Sequence, residues 1–179
     1  VRILSEKLLE SQQIFKGKIL TVKVDQVLLQ NGYRSTREVV FHPGAVAVLP
    51  ILQDGSVILV KQFRYPVGTE LLEVPAGKLD ENESPEECAS RELEEETGFK
   101  ALKMEYVGYI YTTPGFSNEK IYLYLAQDLV KTEQNLDQDE ILKVEILRPS
   151  EVLVKCLDGQ IVDAKTLSLV FLAKEKGVI

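Results

Sequence analysis

GKLDENESPEECASRELEEETGF, residues 77–99, contains a helix with both of its ends marked. Ser84-Pro85-Glu86-Glu87 forms a capping box with proline at the first helical position. Gly98 is the residue type suited to a left-handed C-terminal stop. Between these ends lie Glu92, Glu95 and Glu96. At about 100° per residue the three fall within one sector of the helix surface. Cys88, Ala89 and Leu93 are left to face a core. Carboxylates crowded on one side repel unless water solvates them or a cation is shared among them. Hard divalent cations favour oxygen ligands, and Mg²⁺ commonly takes one or two carboxylates together with waters and phosphate oxygens.

Upstream of this helix the chain reads as strands. Leu20, Val22 and Val24 alternate, an apolar run follows to Leu29, and Asn31-Gly32 signals a hairpin turn before a return strand, Tyr33–Phe41. Residues 1–19 show no clear period. Pro43-Gly44 marks a break, so residues 1–42 form a small N-terminal β region and residues 43–179 the main domain. A second hairpin is expected from Ala45–Leu52, Asp54-Gly55 and Ser56–Arg64, and Thr69–Val74 reads as a short strand. Beyond the helix, Met104–Thr112, Lys120–Gln127 and Ile141–Leu147 read as strands, and Leu129–Glu140 as an acidic loop. Pro149–Leu157 and Asp163–Lys176 read as helices, with Ser150 or Asp163 as local caps. Strands in runs with three helices among them give an α+β domain with a mixed sheet.

The chain of 179 residues carries a formal net charge of −7, the wrong sign for gripping nucleic acid through its phosphates. Two cysteines without C-x-x-C spacing read as reduced thiols, and the lone His42 argues against a multi-histidine metal site. No apolar run has membrane-spanning length and no signal peptide is seen, which points to a cytoplasmic protein with no membrane partner. A phosphate loop of the G-x-x-x-x-G-K-[ST] type is excluded, because Leu79 follows Gly77-Lys78 and Leu72 stands where its first glycine belongs.

Gly77, Glu83, Arg91, Glu92, Leu93, Glu95, Glu96, Gly98 and Phe99 fit G-x5-E-x7-R-E-U-x-E-E-x-G-U, with U a bulky aliphatic residue. This resembles the signature of the Nudix hydrolases; Phe99 departs by being aromatic. Pro114, 16 residues beyond Gly98, is similar to the ADP-ribose pyrophosphatase branch. So are Arg37–Ala45, Lys61–Arg64, Glu70–Gly77, Leu136–Glu140 and Asp163–Thr166.

The resemblance implies a Nudix-type α/β/α sandwich with a small N-terminal antiparallel sheet. It implies Mg²⁺-dependent hydrolysis of ADP-ribose to AMP and ribose 5-phosphate, with Mn²⁺ as the alternative ion. Glu92, Glu96 and the Ala76 carbonyl are then metal ligands, Glu95 assists them, and an Arg91–Glu83 salt bridge orients the site. Arg64 contacts the diphosphate, Arg37 contacts substrate, Glu73 binds substrate or a second metal, and the backbone at Gly115-Phe116 meets the terminal ribose. Glu140 is the candidate base, with Asp137 and Asp139 as competitors. Phe15, Tyr33 and Phe41 are candidates for stacking on the base. A homodimer with exchanged N-terminal sheets is also implied. Two rivals remain: a hydrolase of another nucleoside diphosphate sugar (an ADP- or GDP-hexose), and a non-catalytic ADP-ribose-binding regulator.

Overall fold

The structure, a computed structural model, describes residues 5–136 and 140–179. The chain divides into two compact units, one running to Gly44 and including Tyr111–Lys120, the other comprising Ala45–Ile110 and Ile121–Ile179.

The first unit is a three-stranded antiparallel sheet in the order β1 (Lys7–Lys16), β2 (Thr21–Leu28), β3 (Arg34–Phe41). Asn31-Gly32 turns the chain between β2 and β3, with Gly32 at φ 83°, where a side chain would be strained. Strand β1 was not legible in the sequence. All ten of its residues are exposed, so no inside–outside alternation marks it, and its pairing with β2 is what makes it a strand. Residues 113–118 form a loop laid along β3: Val40 N–H donates to the Phe116 carbonyl at 2.8 Å and Asn118 N–H to the Val40 carbonyl at 3.2 Å.

The second unit contains two sheets and three helices. One sheet has the order β10 (Leu142–Leu147), β5 (Val57–Arg64), β6 (Thr69–Glu73). The other has the order β7 (Ala76–Lys78), β4 (Ala45–Pro50), β9 (Lys120–Lys131), β8 (Phe99–Tyr111). Strand β4 pairs parallel with β9 and antiparallel with β7, so the fold is α+β with mixed pairing. The expected hairpin of Ala45–Leu52 with Ser56–Arg64 is corrected here. Its two arms lie in different sheets and share only the Ile51–Val57 bridge.

The physical reason is that β4 is buried on both faces, as central strands are. Val46 and Val48 join Tyr124 and Ala126 of β9 against Cys88, Ala89 and Leu93 of α1 (Pro85–Thr97). Ala47 and Leu49 join Leu123 and Leu125 against Val152 of α2 (Pro149–Leu157) and Leu169, Val170 and Ala173 of α3 (Ala164–Glu175). One alternating strand pair thus supplies two cores, with α1 on one side and α2 and α3 on the other: an α/β/α sandwich.

The helix ends follow local chemistry. Ser84 caps α1: its Oγ accepts the Glu87 N–H at 3.3 Å, and the Glu87 carboxylate accepts the Ser84 N–H at 3.0 Å. Gly98 ends α1 at φ 69°, returning its N–H to the Glu94 carbonyl. Asp163 caps α3, whereas Ser150 lies inside α2, whose cap position is Arg148. Ser84→Ala is expected to lower stability by about 1 kcal/mol, measured as a fall in the urea midpoint at constant slope.

Candidate active site

Helix α1 is not a solvated acidic helix. Glu92 is 8% exposed and Glu96 3%, while Cys88, Ala89 and Leu93 are sealed in the core. The acidic sector therefore lies along the edge of the packed face. Strand β7 runs beside it, paired with β4 through Ala47–Ala76 and Val46–Gly77. Gly77 is needed for this approach: a Cβ built there would stand 1.8 Å from Glu92 Oε1. Ala76 N–H donates to Glu96 Oε2 at 3.2 Å.

The repulsion among the carboxylates is met in two different ways. Arg91 gathers three of them. Its Nε and Nη2 donate to the two oxygens of Glu83 at 2.8 and 3.0 Å, and its Nη1 donates to Glu92 at 2.8 Å and to Glu95 at 3.0 Å. Held in this way, and by the Asp80 N–H, the Glu83 carboxyl is lowered to about 2. The Arg91–Glu83 pair also ties the segment leading out of β7 to the helix.

Glu96 has no hydrogen bond to an arginine or lysine among the described residues and feels only the more distant charge of Arg64. Burial, followed by the nearby charge of Glu92, pushes its carboxyl up to about 8; the Ala76 N–H works against this, and Glu140 adds to it. Glu92 is also raised, chiefly by burial, against the opposing pull of Arg91. The charge of Glu140 acts on both Glu92 and Glu96, which places this candidate base in the field of the cluster. Asp137 and Asp139, its competitors, lie outside the described residues. The chain before them is pinned to the C-terminal turn of α1. Thr132 N–H donates to the Gly98 carbonyl, Gln134 Nε2 to the Glu96 carbonyl and Asn135 N–H to the Glu95 carbonyl.

Among the described residues, no three His, Cys, Asp or Glu side chains converge as a ready-made metal cluster. Glu95 and Glu92 turn to Arg91, while Glu96 turns to Ala76. The donor set nonetheless fits a hard divalent cation. Of two buried carboxylates, Glu92 lies against a glycine that leaves room for it, and Glu96 accepts from the Ala76 N–H with no cationic hydrogen-bond partner among the described residues.

Arg64, at the end of β5, donates from Nε and Nη2 to the two oxygens of Glu73 at 2.8 Å each. Glu96 contributes to the field that holds Arg64 protonated. Glu73 was expected to bind substrate or a second metal. It is 1% exposed, and Lys165 of α3 bonds one of its oxygens as well, so both oxygens are already engaged by cationic side chains. Burial pushes the Glu73 carboxyl up, and Arg64 and Lys165 outweigh that to leave it lowered. Lys165 has no assigned role from the sequence reading. Its signal was the Asp163 cap itself, which fixes the residue two places later at the buried start of α3.

The remaining predicted residues lie in the first unit. Arg37 is bonded through Nε and Nη2 to the Glu6 carboxylate at 3.0 and 2.6 Å, and through Nη1 to Ser35 Oγ and the Thr36 carbonyl. Glu6 is a partner the sequence did not suggest; it immediately precedes β1, which pairs with β2, and β2 in turn pairs with β3, the strand of Arg37. Phe116 has its N–H donated to Thr113 and its carbonyl accepting from Val40, so its backbone is already engaged and its half-exposed ring is what it offers. Gly115 has open space on its Cβ side. Phe15 and Tyr33 are exposed, and Phe41 lies under the Lys23 ammonium at 4.8 Å. His42 accepts the Gly44 N–H on Nδ1, a structural bond. No helix among the described residues is long and apolar enough to cross a membrane.

Comparison with known proteins gives matches along nearly the whole chain. The NUDIX domain family matches residues 41–170, and the nucleoside diphosphate sugar hydrolase N-terminal domain matches residues 6–40. An ADP-ribose pyrophosphatase of Bacillus subtilis is 43% identical over 93% of this chain and 91% of its own. A methanol dehydrogenase activator of Bacillus methanolicus is 42% identical over the same shares. Among solved structures, an ADP compounds hydrolase superposes with a TM-score of 0.86 over 100% of both chains at 25% identity.

Proposed function

The chain belongs to the NUDIX family, and from that membership we propose that it hydrolyses the diphosphate of ADP-ribose to AMP and ribose 5-phosphate. The observation that carries this reading is the buried Glu92–Glu96 pair against Ala76 and Gly77, with Arg64 and Glu140 in its field.

NUDIX hydrolases need a divalent metal, and here Mg²⁺ is the ion proposed, with Mn²⁺ as the alternative. Glu92, Glu96 and the Ala76 carbonyl would hold it. When bound, such an ion supplies positive charge to phosphoryl oxygens and acidifies water. The chain's own groups do the rest. Arg64 directs a planar cationic donor at the diphosphate. Glu140 takes the proton of the attacking water. Arg91 keeps Glu92 and Glu95 oriented and anchors the β7 segment through Glu83. Arg37, Gly115 and Phe116 are further substrate contacts in the same proposal, with Glu6 yielding Arg37 to an incoming anion.

The test is AMP release from ADP-ribose with Mg²⁺, run beside ADP- and GDP-hexoses and ranked by kcat/KM. A hexose ranked first would replace the substrate and keep the chemistry. Binding of ADP-ribose without turnover in excess Mg²⁺ would favour a regulator instead.

A homodimer in the cytoplasm completes the proposal. Its support is the first unit's sheet, which exposes Leu8, Leu9, Ile14 and Phe15 along β1 alone. A light-scattering mass near one chain of 20.1 kDa would reject it.

A further inference from the structure

We propose that Lys165 is a positioning residue: it sets how Arg64 presents its charge to a diphosphate, acting through the buried carboxylate of Glu73. The inference deepens the reading above and rests on it for the identity of the anion.

The geometry is a closed circuit of polar groups between α3 and the strands that lead to Ala76. Arg64 grips both oxygens of Glu73. Lys165 Nζ bonds Glu73 Oε2 from the other side and Asp163 Oδ1 at 2.9 Å. Asp163 Oδ2 accepts the Thr166 N–H at 3.0 Å and the Thr166 hydroxyl at 2.6 Å. Thr166 Oγ1 in turn accepts the Val74 N–H at 2.9 Å. Glu73, Lys165 and Thr166 are all buried.

A carboxylate held bidentately by one arginine is a closed, neutral pair. Such an arginine has little net charge left for a second anion. A second cation on the same carboxylate changes this. Glu73 divides its charge between Arg64 and Lys165, and Asp163 holds Lys165 on its far side. The four side chains sum to zero charge with Lys165 present and to a net negative charge without it, so Lys165 keeps Arg64 from facing an anionic cluster that would compete with a diphosphate. Arg64 has a donor to offer a diphosphate: its Nη1 has no hydrogen-bond partner among the described residues. Glu96 contributes to the field at Arg64, so that field is shared with the acidic sector of α1. The two bonds to Glu73 fix the guanidinium plane, and Lys165 fixes Glu73. Orientation and charge are thus set from a helix that itself need not meet substrate.

Lys165→Met and Lys165→Gln remove the charge, the second keeping a hydrogen-bond donor if the first fails to fold. Lys165→Arg keeps the charge. Each is made with Arg64 present and with Arg64→Ala. The readouts are kcat and KM for ADP-ribose with Mg²⁺, Kd for ADP-ribose in EDTA by calorimetry, and the thermal midpoint. With Arg64 present, loss of the Lys165 charge is expected to raise KM and Kd about tenfold, with a smaller change in kcat. Lys165→Arg is expected to restore most of that. With Arg64→Ala, the same Lys165 changes are expected to move KM and Kd about twofold or less. Equal effects in both backgrounds, or no effect of either neutral variant with Arg64 present, would overturn the proposal. Wild-type turnover alone tests the hydrolase reading, and the Kd comparison tests Lys165 without requiring turnover.

Discussion

Glu96→Gln is expected to abolish most hydrolysis of ADP-ribose while leaving the fold intact. Groups that merely orient a metal ligand are worth about 10–100-fold in affinity or activity. Loss of a ligand itself should cost more than about 100-fold in kcat. The fold should survive because the charged form of Glu96 is the costly one. Burial and Glu92 raise its carboxyl to about 8, well above its ordinary value of 4.5. The sign follows directly. A carboxyl raised on folding favours the folded state below its unfolded value, and that advantage is lost as pH climbs from about 4.5 toward 8. Glutamine has no such titration. In EDTA the variant should therefore match the wild type near pH 5 and gain on it as pH rises to 8. Thermal midpoints across that range, beside AMP release at pH 8 with Mg²⁺, check both halves. A variant with wild-type turnover would remove Glu96 from the metal assignment.

Gly77→Ala should lose activity by a different route. An added Cβ would fall 1.8 Å from Glu92 Oε1 and 1.9 Å from its carboxyl carbon. Those atoms are the far end of a flexible side chain, so the backbone of β7 need not move. Glu92 is expected to move instead, disturbing its bond with Arg91. The expected result is a fold-competent protein with kcat/KM down by more than about tenfold and a raised Mg²⁺ requirement. Reading the Mg²⁺ concentration at half-maximal rate separates this from simple destabilisation, which would leave it unchanged.

Much of this site was legible because it is written locally. The cap at Ser84, the stop at Gly98 and the i, i+4 spacing of Glu92 and Glu96 are properties of one helix, and helical geometry carries them into space unaided. What stayed hidden depends on distant chain segments meeting. Arg91 serving three carboxylates could be anticipated only for Glu83. Glu73 read as a contact for substrate or a second metal, because the sequence does not show that Lys165 of α3 engages it. The split of β4 and β5 into separate sheets was missed for a related reason. Two apolar runs joined by Asp54-Gly55 look like a hairpin, and only burial of both faces of β4 pulls it to β9. Strand β1 left no pattern at all, since none of its side chains is buried.

The bonds from α3 to the end of β6 have a consequence for biosynthesis. Val74 meets Thr166, and Glu73 meets Lys165, each across a sequence separation of 92. Contacts of that range form late, because a long loop must close before they yield anything. A chain still emerging from the ribosome can complete α1 and its acidic sector while Arg64 remains paired with Glu73 alone. That intermediate holds Arg64 by Glu73 alone, with nothing yet fixing Glu73 from its other side. If Lys165 positions Arg64 as proposed, the site is fully set only when α3 docks, so activity waits on a segment made long after the acidic helix.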